Sequence, residues 1–368
     1  MKSTLALTAD SWIIATFERW IIHHQSAWKE IFMNSRERIK RIFDRKEADR
    51  CGFWLGNPKE ETWEIYEKAF GSQDHEKIRR QLKDDFRWIP ADGGIYRHPE
   101  ERPVFDMRRR GKSLSAEGAF ADCEDPAEVE EYEWPNPDYF DFTPVLEELD
   151  EAGEYYRASG FWCPFFHLVA DFFGMENYFI KMYTHADVVH AVTRRLVEFY
   201  LEANKRFFEQ AGDKVDGFFF GNDFGSQLDL LVGPKQFEEF IFPYFRMLTE
   251  QGHEYGYQVI LHSCGSIHKV IPHLIDLGVD ALHPLQAKAA GMDAETLRRD
   301  FSGKVAFLGG IDTQDLLVRG APEEIKAEVR RVKDLLGPYL VISPSHEALL
   351  ANVPPENVTA MSEAALEE

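Results

Sequence analysis

The sequence predicts an α/β protein, a (β/α)8 TIM-type barrel with a long insertion after the first strand. Three observations carry this expectation. Short apolar runs alternate with longer helical patterns from about residue 158 onward, which calls for a parallel sheet. Seven runs qualify as strands, which suits a closed barrel better than an open sheet. No G-x-G-x-x-G follows a strand and no G-x-x-x-x-G-K-[ST] occurs, so nucleotide-binding open sheets lose support.

The folded domain is expected to begin near Met33, where Asn34 with Glu37 three residues later reads as a capping box. Residues 1–32 read as an extension outside the barrel. Trp12, Ile13, Phe17, Trp20 and Ile21 recur there near helical spacing, so an amphipathic docking helix is the other reading. The barrel domain would span residues 33–368. Its expected strands are Cys51–Leu55, Gly160–Phe166, Gly217–Phe220, Gln258–His262, Ala281–Leu285, Val305–Leu308 and Leu340–Ile342. Helical stripes lie between the later ones, at Thr184–Gln210, Gln236–His253 and Pro322–Leu336. The stretch 57–158 is too long for one crossover and reads as an insertion over the site. Its Arg108–Arg110 run is either an anion clamp or a solvated turn paired with nearby acid, the second being favoured.

Composition narrows the function. The chain has 368 residues, 42 basic and 64 acidic side chains and a net charge of −22. Nucleic acid and anionic membrane surfaces are therefore poor partners. No run approaches the roughly 18 apolar residues of a membrane span. Four scattered cysteines make no disulfide framework, which points to a reduced, cytoplasmic setting.

In a parallel barrel the chemistry sits where strands end. Five successive candidate strands end in polar groups: Gly221–Gln227, His262–Gly265, His283–Gln286, Gly309–Gln314 and Ser343–Glu347. Asn222, Gln227, Gln286 and Asp312 are the expected substrate-binding residues. Asp223 follows an apolar run, so its carboxylate suits acid–base work or binding of a cationic group, or else it caps a turn. His167 is a second catalytic candidate, or a core histidine. The pair His262-x-Cys264 is the sharpest item. Residues two apart at a strand end share a side, so an imidazole and a thiolate can hold one zinc ion, at about 2.0–2.1 and 2.3 Å. His346 is the expected third ligand. The ordinary alternative is a core histidine beside a small buried cysteine.

These motifs resemble the uroporphyrinogen decarboxylase superfamily, and within it the corrinoid-dependent methyltransferase-like branch. The matching pieces include Arg36–Arg50 with Phe53-Trp54, Val129–Phe142, Gly174–Asn177, Gly221–Gln227, Leu261–Gly265, Gly309–Gln314 and Ser343–Met361, in the family's order. The resemblance implies a methyltransferase that moves a methyl group between a small substrate, of methoxy, methylamine or thiol type, and a corrinoid (cobalamin) that is carried by a partner protein or free. It also implies zinc activation of the substrate heteroatom. Two departures stand out. True decarboxylases carry arginines just after the first strand, where this chain reads Trp54-Leu55-Gly56-Asn57-Pro58. The branch's zinc motif is H-x-C followed much later by Cys, and here His346 stands at the third place. One thiolate with two imidazoles would leave zinc at +1, a stronger Lewis acid than a neutral site. Asn222 and His167 likewise stand where the branch tends to show acid. The alternatives are a metal-free carboxy-lyase, with Asp223 stabilising charge, or a corrinoid- or tetrapyrrole-binding protein without turnover.

Overall fold

The computed structural model describes residues 33–367. Eight parallel strands form the barrel: β1 Gly52–Phe53, β2 Phe86–Trp88, β3 Tyr156–Ser159, β4 Gly217–Gly221, β5 Gln258–His262, β6 Ala281–His283, β7 Ala306–Ile311 and β8 Leu340–Pro344. Each pairs with its chain neighbour from β2 through β8, and β8 pairs with β1. The seam between β1 and β2 is closed by Asp85. Its N–H donates to the Phe53 carbonyl at 2.8 Å, and its carboxylate accepts from the Phe53 N–H at 3.1 Å. Arg38 and Arg50 hold the same carboxylate at 2.8 and 2.7 Å. Residues 1–32, with the expected extension or docking helix, lie outside the described residues.

Strand parity builds two cores, because alternate side chains face opposite sides of a strand. Phe219, Ile260, Ala281, Leu308 and Val341 point inward and pack with Trp54, Phe86 and Tyr156. Phe218, Phe220, Val259 and Leu261 point outward onto the helices. The helix Ser35–Phe43 starts at Asn34, whose side chain accepts the Glu37 N–H at 2.8 Å. It buries Ile39, Ile42 and Phe43 in the inner core and stoppers the barrel at the strands' N-terminal end. No helix among the described residues is long and apolar enough to cross a membrane.

Two expectations change. The stretch 57–158 is not one insertion: it holds the helices Glu60–Phe70 and His75–Gln81 and then β2. The long excursion follows β2 and packs on the helix Phe165–Phe173 through Phe120 and Trp134. Arg87 masked β2 by splitting its apolar run. It faces outward, bonds Glu76 at 2.8 Å and lies over the Tyr155 ring. The strand expected at Gly160–Phe166 is Tyr156–Ser159 instead. Cys163 adopts φ 48 and is followed by Pro164, so the backbone turns there and Phe165–Phe173 becomes helix. Arg109 pairs with Asp171 and Arg110 with Glu117, the reading favoured for that run.

Candidate metal centre

The parity that fills the inner core also builds the site. Two residues beyond Ile260 on β5 comes His262, and two beyond Ala281 on β6 comes His283. Both therefore point inward, and they are Cα partners in the sheet. Both are nearly fully buried. On β4 the equivalent position is Gly221, a Cα partner of His262. A Cβ there would stand 2.1 Å from Trp162 Cζ2. The glycine thus makes room for the indole, whose centroid lies 5.0 Å from the His262 ring.

Just past these strand ends, Asp223, His262 and Cys264 converge. His262 Nε2 lies 3.3 Å from Asp223 Oδ1 and 3.4 Å from Cys264 Sγ. Asp223 Oδ1 also accepts the Cys264 N–H at 2.8 Å, which fixes the carboxylate against the loop. Gly265 lets that loop run close to its neighbour, since a Cβ there would meet the Gly225 carbonyl at 2.2 Å and its φ is +86. One ligand atom from each of the three residues lies within 4.8 Å of the others. The donor set suits zinc. Two donors on one tetrahedral zinc stand about 3.3–3.6 Å apart, which the 3.3 and 3.4 Å separations match. Asp223 and Cys264 are partly exposed toward the mouth, which leaves an open side.

His346 does not join either set of converging donors; its ring is edge-on to His262 with centroids 6.0 Å apart. Its Nδ1 instead accepts the Ala348 N–H at 3.0 Å, because the chain folds back there into the short strand Ala348–Leu349. Among the described residues it is Asp223, not the expected His346, that converges with His262 and Cys264. A divalent metal held by that thiolate, that carboxylate and a neutral imidazole would have a neutral charge sum, which a second imidazole in place of the carboxylate would not give.

Beneath the cluster sits a second convergence of His262, His283 and Glu347. His262 Nδ1 is 2.9 Å from His283 Nδ1 and 3.4 Å from Glu347 Oε2. Glu347 Oε2 and His283 Nε2 are buried without hydrogen-bond partners. These groups engage the far nitrogen of His262 and leave Nε2 for the mouth.

The electrostatics follow from the geometry. Burial opposes a charged His262 ring, yet Asp223, Cys264 and Glu347 outweigh it and hold its pKa up at about 10. Burial raises Asp223, but the His262 contact and the Cys264 N–H more than reverse this and hold it well below the usual carboxylate range. Burial pushes the Cys264 thiol up despite His262. Burial, with two imidazoles nearby, keeps His283 neutral.

The remaining expected residues divide. His167 stands in the first turn of Phe165–Phe173 with Nε2 3.9 Å from Asp223 Oδ2, and burial lowers its pKa. Gln286 Oε1 accepts the Gly265 N–H at 2.7 Å and the Gln227 amide at 3.2 Å, so both border the cluster. Asn222 and Asp312 do not present free side chains. Asn222 is buried, accepts the Phe166 N–H at 2.9 Å and donates to the Cys163 carbonyl at 3.0 Å. It anchors the helix that carries His167. The Asp312 carboxylate accepts N–H groups of Gln314, Asp315 and Leu316 and pairs with Lys288. His283, Glu347 and Trp162 were missed as site residues. Inward parity at equal strand height was the available signal for His283.

No curated protein sequence matches the chain. Among solved structures, a methyltransferase from Methanosarcina mazei superposes with a TM-score of 0.65 at 17% identity, covering 91% of this chain and 98% of that one. A structure described as a vitamin-B12-independent methionine synthase from Listeria monocytogenes aligns over 86% of this chain and 95% of its own at 14% identity, with a TM-score of 0.39. The family model for uroporphyrinogen decarboxylase (URO-D) matches residues 125–367, well over half of the sequence. With the eight-stranded barrel around it, that match makes the chain a member of the uroporphyrinogen decarboxylase family.

Proposed function

We propose that this protein is a methyltransferase that moves a methyl group between a small methylated substrate and a corrinoid brought by a partner protein. The observation that carries the reading is the Asp223–His262–Cys264 cluster, an N, S and O donor set on the open face of a barrel, with O and S 3.3 and 3.4 Å from His262 Nε2. The similarity to the Methanosarcina mazei methyltransferase agrees with it at the level of the fold. Bound zinc would act as a Lewis acid on the substrate heteroatom, and the corrinoid would exchange the methyl group.

The protein's own residues do the positioning. His262 offers Nε2 because its Nδ1 faces His283 and Glu347. Cys264 offers sulfur beside it, and Asp223 is held in place by the Cys264 N–H. His167, on the far side of Asp223, borders the same space and can orient a substrate. Trp162 packs its indole against the His262 ring, centroids 5.0 Å apart. A decarboxylase reading fares worse. The segment after β1 carries no arginine, and Arg38 and Arg50 are tied to Asp85. A carboxylate-rich tetrapyrrole would lack its clamp.

The test is metal analysis of the purified chain joined to a spectral assay of cob(I)alamin methylation with methoxy, methylamine and thiol compounds. Stoichiometric zinc and methylation by one class are expected. A protein that is fully active after metal removal, or inert toward every donor while releasing CO2 from a tetrapyrrole, would overturn the proposal.

A further inference from the structure

Next to the metal cluster the barrel mouth opens into a cavity of about 360 Å³. Its lining residues are Gln286, Gln314, Asn352, Thr313 (whose hydroxyl also meets Ser345 Oγ at 3.3 Å), His346, and the apolar Ala348, Leu350 and Val353. Among the described residues, no Asp, Glu, Lys or Arg lines it. On the neighbouring loop, Lys288 and Asp312 are paired with each other at 2.9 Å. The cavity adjoins the cluster through Gln286, which holds the Gly265 N–H beside Cys264, and through His346, edge-on to His262.

His346 has a defined role in that wall. Because its Nδ1 accepts the Ala348 N–H, the ring proton of the neutral imidazole belongs on Nε2. Glu347 Oε2, 3.3 Å from the same Nδ1, makes no hydrogen bond to it. The residue expected to bind metal therefore presents a hydrogen-bond donor instead.

We infer that this cavity is the substrate subsite and that it takes an uncharged, oxygen-bearing molecule: a methyl ether, or the alcohol or phenol that remains when its methyl group is gone. The inference rests on the methyl-transfer reading and narrows its three substrate types to one. Carboxamides and hydroxyls match ether and hydroxyl oxygens donor for acceptor. A methylammonium or a carboxylate would be desolvated here with no counter-charge, which neutral walls do not offset. A thioether or thiol would leave the donors poorly matched, because sulfur is a weak acceptor. The volume lies at the small end of ligand sites, which run from about 300 to 1,000 Å³, and suits a single substituted ring. His346 Nε2–H and the carboxamides grip its oxygens.

The experiment measures binding, so it does not depend on turnover. Titration calorimetry on the full chain, with and without zinc, would compare 2-methoxyphenol, methoxybenzene and methanol with 2-methoxybenzoate, tetramethylammonium and dimethyl sulfide. The best neutral oxygen compound is expected to bind about tenfold or more tightly than any charged or sulfur probe. His346→Leu should lose about tenfold for that compound, and His346→Gln, which keeps a donor, should recover most of it. Asn352→Asp should shift preference toward tetramethylammonium. Melting curves establish that each variant is folded. Equal or tighter binding of a charged or sulfur probe, no binding of any neutral probe, or a silent His346→Leu would overturn the inference. Neutral binding without methyl transfer to cob(I)alamin would overturn only the methyltransferase reading. Transfer from a charged donor would overturn only this one.

Discussion

His262 and His283 face each other as sheet partners with Nδ1 atoms 2.9 Å apart, so one ring must donate to the other. His283 is held neutral by burial and by its imidazole neighbours. With His262 Nδ1–H donating to His283 Nδ1, Nε2 of His262 is left to face the mouth. Replacing His283 with Phe keeps a ring against Trp54 and Phe219 but removes the acceptor. Zinc affinity should fall by about 10–100-fold. Competition against a chromophoric chelator measures it, and unchanged affinity would refute the role.

Zinc binding should depend steeply on pH. The metal-free His262 ring has its pKa raised to about 10, against an unfolded value of about 6.5. Its contribution to metal-free stability is therefore complete below about pH 6.5 and is lost as pH climbs toward 10. Zinc must displace that proton, and the raised Cys264 thiol adds a second. Apparent affinity should climb about tenfold per pH unit for each proton displaced, with proton release seen as a buffer-dependent binding heat.

Gly221→Ala should destabilise the barrel. The added methyl would sit 2.1 Å from the Trp162 ring, with Phe219 and Trp88 packed behind it. Overpacking of this kind costs about 1–3 kcal/mol. A lower denaturant midpoint with an unchanged slope is the expected result, accompanied by a shift in tryptophan fluorescence.

Asp85→Ala should be more severe. The carboxylate closes the β1–β2 seam and is buried against Arg38 and Arg50. Removing one partner of a buried ion pair typically costs about 3–5 kcal/mol. Asp85→Asn, which keeps an acceptor for Phe53 N–H, should recover part of the loss in equilibrium unfolding.

Much of this was legible in the sequence, and the exceptions have physical causes. The strands β4 through β8 announce themselves because their outward and inward faces are both apolar. β2 was hidden because Arg87 buries its stem outside the barrel while looking like a surface charge. The run Gly160–Phe166 looks like a strand, yet a positive φ at Cys163 turns it into a helix start, which composition does not reveal. His262 and Cys264 were readable because parity fixes their side. The orientation of His346 is not fixed by parity, since it depends on the Ala348 N–H in a loop past the last strand. The sequence places Asn222 and Asp312 at the barrel mouth, where loops also need side chains to satisfy their own N–H groups, and both side chains do so.

The helix Ser35–Phe43 has a kinetic consequence. Ile39, Ile42 and Phe43 fill the lower end of the barrel, so among the described residues the cluster has a floor and opens on the mouth side. Reactant and product must use the same rim. A small substrate seated deep in the mouth is trapped while a larger second reactant covers it, and a large reactant arriving first bars the small one. Under the proposed reaction such a barrel would run in an obligatory order, small molecule in first and out last, and an excess of the large reactant would act as a stopper.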